Sequence, residues 1–151
     1  MSQTIIRNRK AFHEFEVLDT FEAGIVLKGT EVKSVRQGHV HIADAFCVID
    51  DRLNLDLHNA KINVYSHGNR HNHDPDRKRR LLMHRREITK LREKIREKGL
   101  TLIPLSMYFK KDYLKVSLGL CKGKKLYDKR EDLKKKDAKK EENRVKKEFR
   151  A

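Results

Sequence analysis

Alternating apolar and polar positions predict that most of the first 121 residues form β-strands. Phe15 and Val17 alternate with charged residues, and an apolar run from Ile25 to Leu27 follows them. Residues 46–58 predict a hairpin around the polar turn 50–52, because apolar side chains alternate with polar ones after that turn. Residues 100–120 predict a second hairpin, in which Pro104 marks an edge or a bulge.

Two segments have the spacing of helices. The segment 30–37 is short, with Thr30 as a possible N-cap and Gly38 as its stop. In 81–98, apolar residues recur every three or four positions, and Gly99 ends the pattern. About six strands with these helices fit a small closed barrel better than a sandwich. We therefore expect a mainly β fold, a closed six-stranded antiparallel barrel with flanking helices in residues 1–121.

The charge is concentrated in two segments. The 151 residues carry a formal net charge of +15, of which 77–98 contribute +8 and 122–151 contribute +7, so the remainder is neutral. A neutral body with two basic segments favours binding to a polyanion, with nucleic acid ahead of an anionic membrane surface. The chain shows no signal peptide and no apolar run long enough to span a membrane, so we expect a cytoplasmic protein. Cys47 and Cys121 are expected to be buried free thiols.

The histidines raise the question of a metal site. His67, His71 and His73 lie close together beside Asp74, but they occupy a polar turn-forming loop without helical spacing or a CxxC pair. We expect a polar loop there, with no metal and no cofactor.

Several other residues are candidates for contact with RNA. Glu31 is either a first-turn carboxylate favoured by the helix dipole or an acceptor for a base edge or 2′-hydroxyl. The segment 8–15 is either a disordered basic arm or an arm along a phosphate backbone. Positive charge at a helix start opposes the dipole, so the run just before 81–98 predicts phosphate contacts at Arg77, Lys78, Arg79 and Arg80.

Five strings together resemble one family, the SsrA-binding proteins, also called small protein B. They are NRKA from Asn8, FEAGIVLKGTEVKSVRQG from Phe21, HDPDRKRRLLMHRREI from His73, GLTLIPLSMYF from Gly99 and GKKLYDKR from Gly123. They run in the family's order over almost the whole chain. The resemblance implies an oligonucleotide-binding-fold barrel without enzymatic activity. It also implies binding to the transfer-RNA-like domain of transfer-messenger RNA, and delivery of that RNA to stalled ribosomes for trans-translation.

The resemblance also implies roles for particular residues. The RNA-facing set would be Asn8, Arg9, Lys10, Glu31, Lys33, Arg36, Lys124 and Lys125. The set that enters the decoding centre and the empty message channel would be Gly123, Tyr127, Asp128, Lys129, Arg130, Lys134, Lys135 and Lys136, with Tyr127 as the stacking residue. The chain departs from many relatives at His39-Val40-His41, where neutral histidine supplies no fixed positive charge at pH 7.

The tail 122–151 has the composition of a segment that is disordered alone. Its lysines and thin apolar stripe predict a helix when phosphates of the ribosome screen its self-repulsion. We expect a monomer in a one-to-one complex with RNA. A ribosomal or other RNA-binding barrel protein would share the charge pattern. A metal-dependent nuclease lacks a supporting carboxylate cluster, and a chromatin-like DNA binder lacks helix-turn-helix or finger spacing.

Overall fold

The computed structural model describes residues 2–65 and 72–123, which form nine strands and three helices. The strands are β1 (Ser2–Arg7), β2 (Phe15–Ile25), β3 (Val40–His41), β4 (Phe46–Ile49), β5 (Leu55–His58), β6 (Lys61–Ile62), β7 (Arg79–Leu82), β8 (Thr101–Lys110) and β9 (Tyr113–Gly123). The helices are α1 (Arg9–Glu14), α2 (Gly29–Arg36) and α3 (Arg85–Lys98). The prediction of a mainly β protein with few helices is confirmed.

Seven strands form one antiparallel sheet in the order β1-β8-β4-β5-β7-β2-β9, and β9 also pairs with β8. β3 and β6 form a separate two-stranded sheet. Both predicted hairpins are present as β4–β5 and β8–β9. The register of β8 shifts between Pro104 and Ser106, which confirms the bulge predicted at that proline.

The main core is built from the inward-facing side chains of the strands. Leu114, Val116, Leu118 and Leu120 of β9 alternate along the strand and are all buried, as their spacing predicts. Helix α3 covers part of this core with Ile88 and Leu91. Burial of each of these side chains removes apolar surface from water, which is the main force that holds the sheet and the helix together.

Both cysteines are free and buried, as predicted. Burial raises the pKa of both thiols above the usual range, that of Cys121 to about 11. The two side chains therefore pack as small apolar groups at neutral pH rather than as reactive thiolates.

The N-terminal segment is ordered, so the prediction of a disordered basic arm is wrong. β1 pairs with β8, and α1 packs on the face of β8 that points away from the main core. There Ala11 joins Ile103, Leu105 and Cys121 in a second apolar cluster. Because β8 is covered on both faces, its apolar run from Leu102 to Leu105 is continuous rather than alternating.

The predicted helix 81–98 begins later, at Arg85. Residues 79–82 instead form β7, in which Leu81 lies opposite Leu55 of β5. Arg79 and Leu81 are buried while Arg80 and Leu82 are exposed, which is the period of a strand. Leu81 fits both the spacing of buried residues in a strand and that in a helix. The segment forms a strand because it pairs with β5 and β2.

Other boundaries lie within one or two residues of the prediction. Helix α2 begins at Gly29, and α3 ends with Gly99 in the left-handed region at a φ of 62°. β9 continues through Lys122 to Gly123, which lies opposite Phe15 and extends two residues beyond the expected domain end at 121. Among the described helices, none has the length and apolarity needed to cross a membrane.

Candidate nucleic-acid interface

Helix α2 is held in place by its first-turn carboxylate, Glu31, whose side chain is fully buried. Its Oε1 accepts hydrogen bonds from the Lys28 backbone N–H at 2.8 Å and from Arg77 Nη2 at 2.5 Å. Its Oε2 accepts from Arg79 Nε at 2.7 Å. Both oxygens are thus used within the protein, so Glu31 positions α2 rather than presenting an acceptor to RNA.

Arg79 is one of the four predicted phosphate contacts, and its position in the structure shows that this prediction is wrong. Its side chain is fully buried, and besides Glu31 it donates to the carbonyl oxygens of Ala60 at 2.5 Å and Pro75 at 2.9 Å. The prediction assumed four cations in front of a helix, whereas they precede and enter strand β7. Alternation along the strand turned Arg79 inward, where a guanidinium requires these partners.

The other three members of that run have different exposures. Arg77 is partly buried against Glu31, and Arg80 pairs with Asp56 through Nε at 2.7 Å. Lys78 is exposed. The four residues therefore do not form one phosphate-binding patch.

The environment of Glu31 also determines its protonation. Burial acts to raise the pKa of this carboxyl, but the hydrogen bonds from Arg77, the Lys28 N–H and Arg79, with the charge of Arg79, more than offset it. The pKa of Glu31 is therefore lower than usual, and the carboxylate is ionised at neutral pH.

Asn8 is a second predicted RNA contact that the structure places inside the protein. Its Oδ1 accepts from the Ala11 N–H at 3.1 Å, which caps α1. Its Nδ2 donates to the carbonyl oxygens of Ile42 and Pro104, both at 2.9 Å. Asn8 thus ties α1 to β8 and to the segment that follows β3.

The cations predicted around these two helices are exposed. On α2, Lys33 Nζ lies 5.3 Å from the ring centroid of Tyr65, and the Arg36 guanidinium lies 4.6 Å from that of Phe109. Contact with the face of a ring limits the movement of each cation and leaves its charge accessible to an anion. On α1, Arg9 is exposed and Lys10 pairs with Asp44 at 2.5 Å.

The two aromatic partners were missed by the sequence analysis. Tyr65 and Phe109 are distant in sequence from the cations they contact. Phe109 was predicted only as part of the second hairpin, and no role was predicted for Tyr65. A contact of this kind has no local spacing, so no pattern in the sequence indicates it.

The histidine loop is only partly described. His73 is buried, with Nε2 2.8 Å from the Ile62 carbonyl oxygen and Nδ1 2.8 Å from Thr30 Oγ1. Within 2–65 and 72–123, no cluster of three or more metal-ligating side chains occurs. His67 and His71 lie outside the described residues, whereas His39 and His41 are exposed.

The predicted tail contacts also lie outside the described residues, apart from Gly123 at the end of β9. The residues concerned are Lys124, Lys125, Tyr127, Asp128, Lys129, Arg130, Lys134, Lys135 and Lys136.

The helices that flank the antiparallel sheet carry exposed cations, two of which lie over aromatic rings. These features are typical of a small basic protein of the nucleic-acid-binding class. Comparison with known families is more specific. The family model described as SmpB protein matches residues 5–148. The chain belongs to the SmpB family, which confirms the resemblance seen in the sequence.

Curated relatives are similar over nearly their full length. The SsrA-binding protein of Geobacter sulfurreducens is 59% identical over 137 residues, covering 91% of this chain and 89% of the relative. That of Carboxydothermus hydrogenoformans is 55% identical over 141 residues, covering 93% and 94%. The SsrA-binding protein of Bacillus subtilis is 52% identical over 143 residues, covering 95% and 91%.

A solved structure extends the comparison to three dimensions. A chain from work on tmRNA–SmpB and its journey to the centre of the bacterial ribosome matches with a TM-score of 0.68 and 47% sequence identity. The match covers 85% of this chain and 93% of that chain. The similarity therefore includes the fold as well as the sequence.

Proposed function

We propose that this protein binds the transfer-RNA-like domain of transfer-messenger RNA and delivers it to stalled ribosomes for trans-translation. The observation that carries the proposal is the family match over residues 5–148, which includes the basic segment 77–98 and all but the last three residues of the basic segment 122–151. The protein acts in this role as an RNA-binding partner without catalysis, as a monomer in a one-to-one complex, in the cytoplasm where ribosomes translate.

The described surface supports a particular mode of RNA binding. Arg9, Lys10, Lys33 and Arg36 are exposed, and two of them rest on aromatic rings. Structured RNA is recognised by shape, phosphates and 2′-hydroxyls more than by base sequence, which suits a surface of positioned cations. Asn8 and Glu31 contribute indirectly, because they fix the two helices that carry these cations.

The fold is proposed to be an oligonucleotide-binding barrel of six strands. β9 pairs with both β2 and β8, and β8 pairs in turn with β4, so the chain of pairings β8-β4-β5-β7-β2-β9 returns to its start. Closure of this kind would leave no free edge among these six strands, with β1 added outside them on β8, and would hold the flanking helices at fixed positions.

The tail 122–151 is proposed to be disordered in the free protein and helical in the message channel of the ribosome. A chain truncated after Lys125 keeps all of β9 and the proposed RNA contacts Lys124 and Lys125, and it should bind transfer-messenger RNA as the full chain does. It should fail to support peptide tagging in a reconstituted reaction. Tagging by the truncated chain would contradict this role.

Tyr127 is proposed as the stacking residue of the tail. Replacing Tyr127→Ala should remove about 1–3 kcal/mol of base stacking and slow tagging accordingly. Tyr127→Phe keeps the ring and is the matched control. Equal tagging rates for the two variants would exclude stacking.

The proposed function as a whole is tested by reconstitution. Purified chain is added to ribosomes stalled on a message without a stop codon, together with alanylated transfer-messenger RNA. We expect the stalled peptide to acquire the encoded tag only when the chain is present. Tag addition at the same rate without the chain would refute the proposal.

A further inference from the structure

The side chain of Asn72 holds the backbone of Tyr65 from the other side of the segment 66–71, which lies outside the described residues. Its Oδ1 accepts a hydrogen bond from the Tyr65 N–H at 3.0 Å, and its Nδ2 donates to the Tyr65 carbonyl oxygen at 2.5 Å. One amide side chain therefore pairs with both backbone polar groups of Tyr65, as a neighbouring strand would. The position of Tyr65 thus depends on a side chain seven residues away.

The residue after Asn72 anchors this contact to α2 and β6. His73 is buried, and its Nε2 donates to the Ile62 carbonyl oxygen at 2.8 Å, because a carbonyl oxygen can only accept. Its Nδ1 lies 2.8 Å from Oγ1 of Thr30 in the first turn of α2. The Ile62 N–H donates in turn to the Pro75 carbonyl oxygen at 3.1 Å. Residues 72–75 are therefore fixed against both α2 and β6.

The ring of Tyr65 lies beside the cation of Lys33 on α2. The distance from Lys33 Nζ to the ring centroid is 5.3 Å, within the range in which the face of a ring attracts a cation. A lysine has many rotamers, and ordering it on an RNA phosphate costs entropy. Contact with the ring restricts Lys33 before RNA arrives, so the position of the ring determines where this charge is held.

The neighbouring cation on α2 does not depend on Asn72. Arg36 lies over the ring of Phe109, with 4.6 Å from the guanidinium to the centroid. Phe109 is a buried residue of β8, which is paired with β1 and β9, so the sheet itself fixes that ring. Tyr65 lies beyond the end of β6, and the pair of hydrogen bonds from Asn72 takes the place of strand pairing.

We propose that Asn72 is a positioning residue for RNA binding, which acts through the Tyr65 ring on Lys33. The inference rests on the proposed function, in which Lys33 contacts a phosphate of the transfer-RNA-like domain. Asn72 itself touches no RNA, and it lies in the polar histidine loop, where the sequence indicated no role for it.

The test is a double-mutant cycle on the full chain. Affinity for the transfer-RNA-like domain is measured over a range of salt for the unmodified chain, Asn72→Ala, Lys33→Gln and the combination of the two. The control cycle replaces Lys33→Gln by Arg36→Gln, which removes a cation from the same helix but from a different ring. Urea titration of each variant shows that folded proteins are compared.

We expect Asn72→Ala to weaken binding about two- to fivefold while Lys33 is present, which is the effect of losing a ring contact at an exposed site. In the Lys33→Gln background, Asn72→Ala should leave the affinity unchanged, whereas in the Arg36→Gln background it should weaken binding as before. Lys33→Gln alone should lower the slope of log K against log salt by about 0.7 to 0.9, for one lost phosphate contact.

Variants of Tyr65 provide a second route to the same answer. Tyr65→Leu should reproduce the effect of Asn72→Ala without adding to it, and Tyr65→Phe, which keeps the ring, should bind as the unmodified chain does.

Additive effects of Asn72→Ala and Lys33→Gln would overturn the inference, because a general loss of structure acts whether or not Lys33 is present. Equal coupling of Asn72 to Lys33 and to Arg36 would also overturn it, since it would show that α2 as a whole had loosened. An unchanged affinity for Lys33→Gln would overturn the inference and leave the proposed function in place. Failure of the unmodified chain to bind the domain would refute the proposed function itself.

Discussion

At the scale of single residues, the structure separates side chains proposed to contact RNA from side chains that position others. Glu31 and Asn8 stand in the first group by resemblance but in the second by geometry, because every polar atom they carry is bonded within the protein. Lys33 and Arg36 are exposed and rest on rings. Substitutions in the two groups should therefore affect different measurements, stability for one and RNA affinity for the other.

Glu31→Gln should destabilise the protein strongly. It would leave Arg79 buried without its counter-charge, and loss of one partner of a buried pair costs about 3–5 kcal/mol. The free energy of unfolding is measured by urea titration. Asp44→Asn, which removes the exposed pair with Lys10, is the control and should change stability little. Equal stability of the two variants would contradict the role assigned to Glu31.

The same carboxylate predicts how stability depends on pH. The pKa of Glu31 is lower in the folded protein than in the unfolded chain, so its contribution is fully present above the usual pKa of glutamate. That contribution is lost as the pH falls through the lowered value. Urea titrations between neutral and acidic pH should show a steeper loss of stability for the unmodified chain than for Glu31→Gln. Parallel pH profiles would show that Glu31 titrates as an ordinary exposed glutamate.

At the scale of elements, the sequence predicted what depends on local periodicity and missed what depends on distant partners. The two hairpins, the bulge at Pro104 and the end of α3 at Gly99 follow from spacing and turn chemistry. Residues 81 and 82 of β7 were predicted to begin the helix, because Leu81 fits both periods. The short α1 was missed because six residues carry little periodicity, and its packing on β8 decides its structure.

Gly99 supplies an element-scale prediction. Its φ of 62° closes α3, and its N–H donates to the Ile95 carbonyl oxygen. Gly99→Ala should cost about 1–2 kcal/mol, because a Cβ disfavours the left-handed region. Thermal unfolding followed by circular dichroism measures the change. Gly29→Ala is the control: Gly29 lies within α2, where no positive φ is required and an added Cβ would meet no atom within 4 Å. A Gly99→Ala variant as stable as this control would show that the C-cap does not need glycine.

At the scale of the whole molecule, a neutral body carries its positive charge in the segments 77–98 and 122–151. The structure divides the first of these between a buried arginine, Arg79, that fixes α2 and two arginines of α3, Arg92 and Arg96, that pair with Asp51 of the β4–β5 turn. The exposed cations Lys33 and Arg36 lie on α2. The exposed cations of the described part of the chain are therefore carried by more than one helix.

The central claim is that this protein selects transfer-messenger RNA, and the most direct measurement is the identity of the RNA it holds. The full chain is captured from a native lysate, and the bound RNA is sequenced. We predict strong enrichment of one alanylatable, transfer-RNA-like species over all other RNA. Recovery of ribosomal RNA alone, or of RNA in proportion to its abundance, would contradict the account.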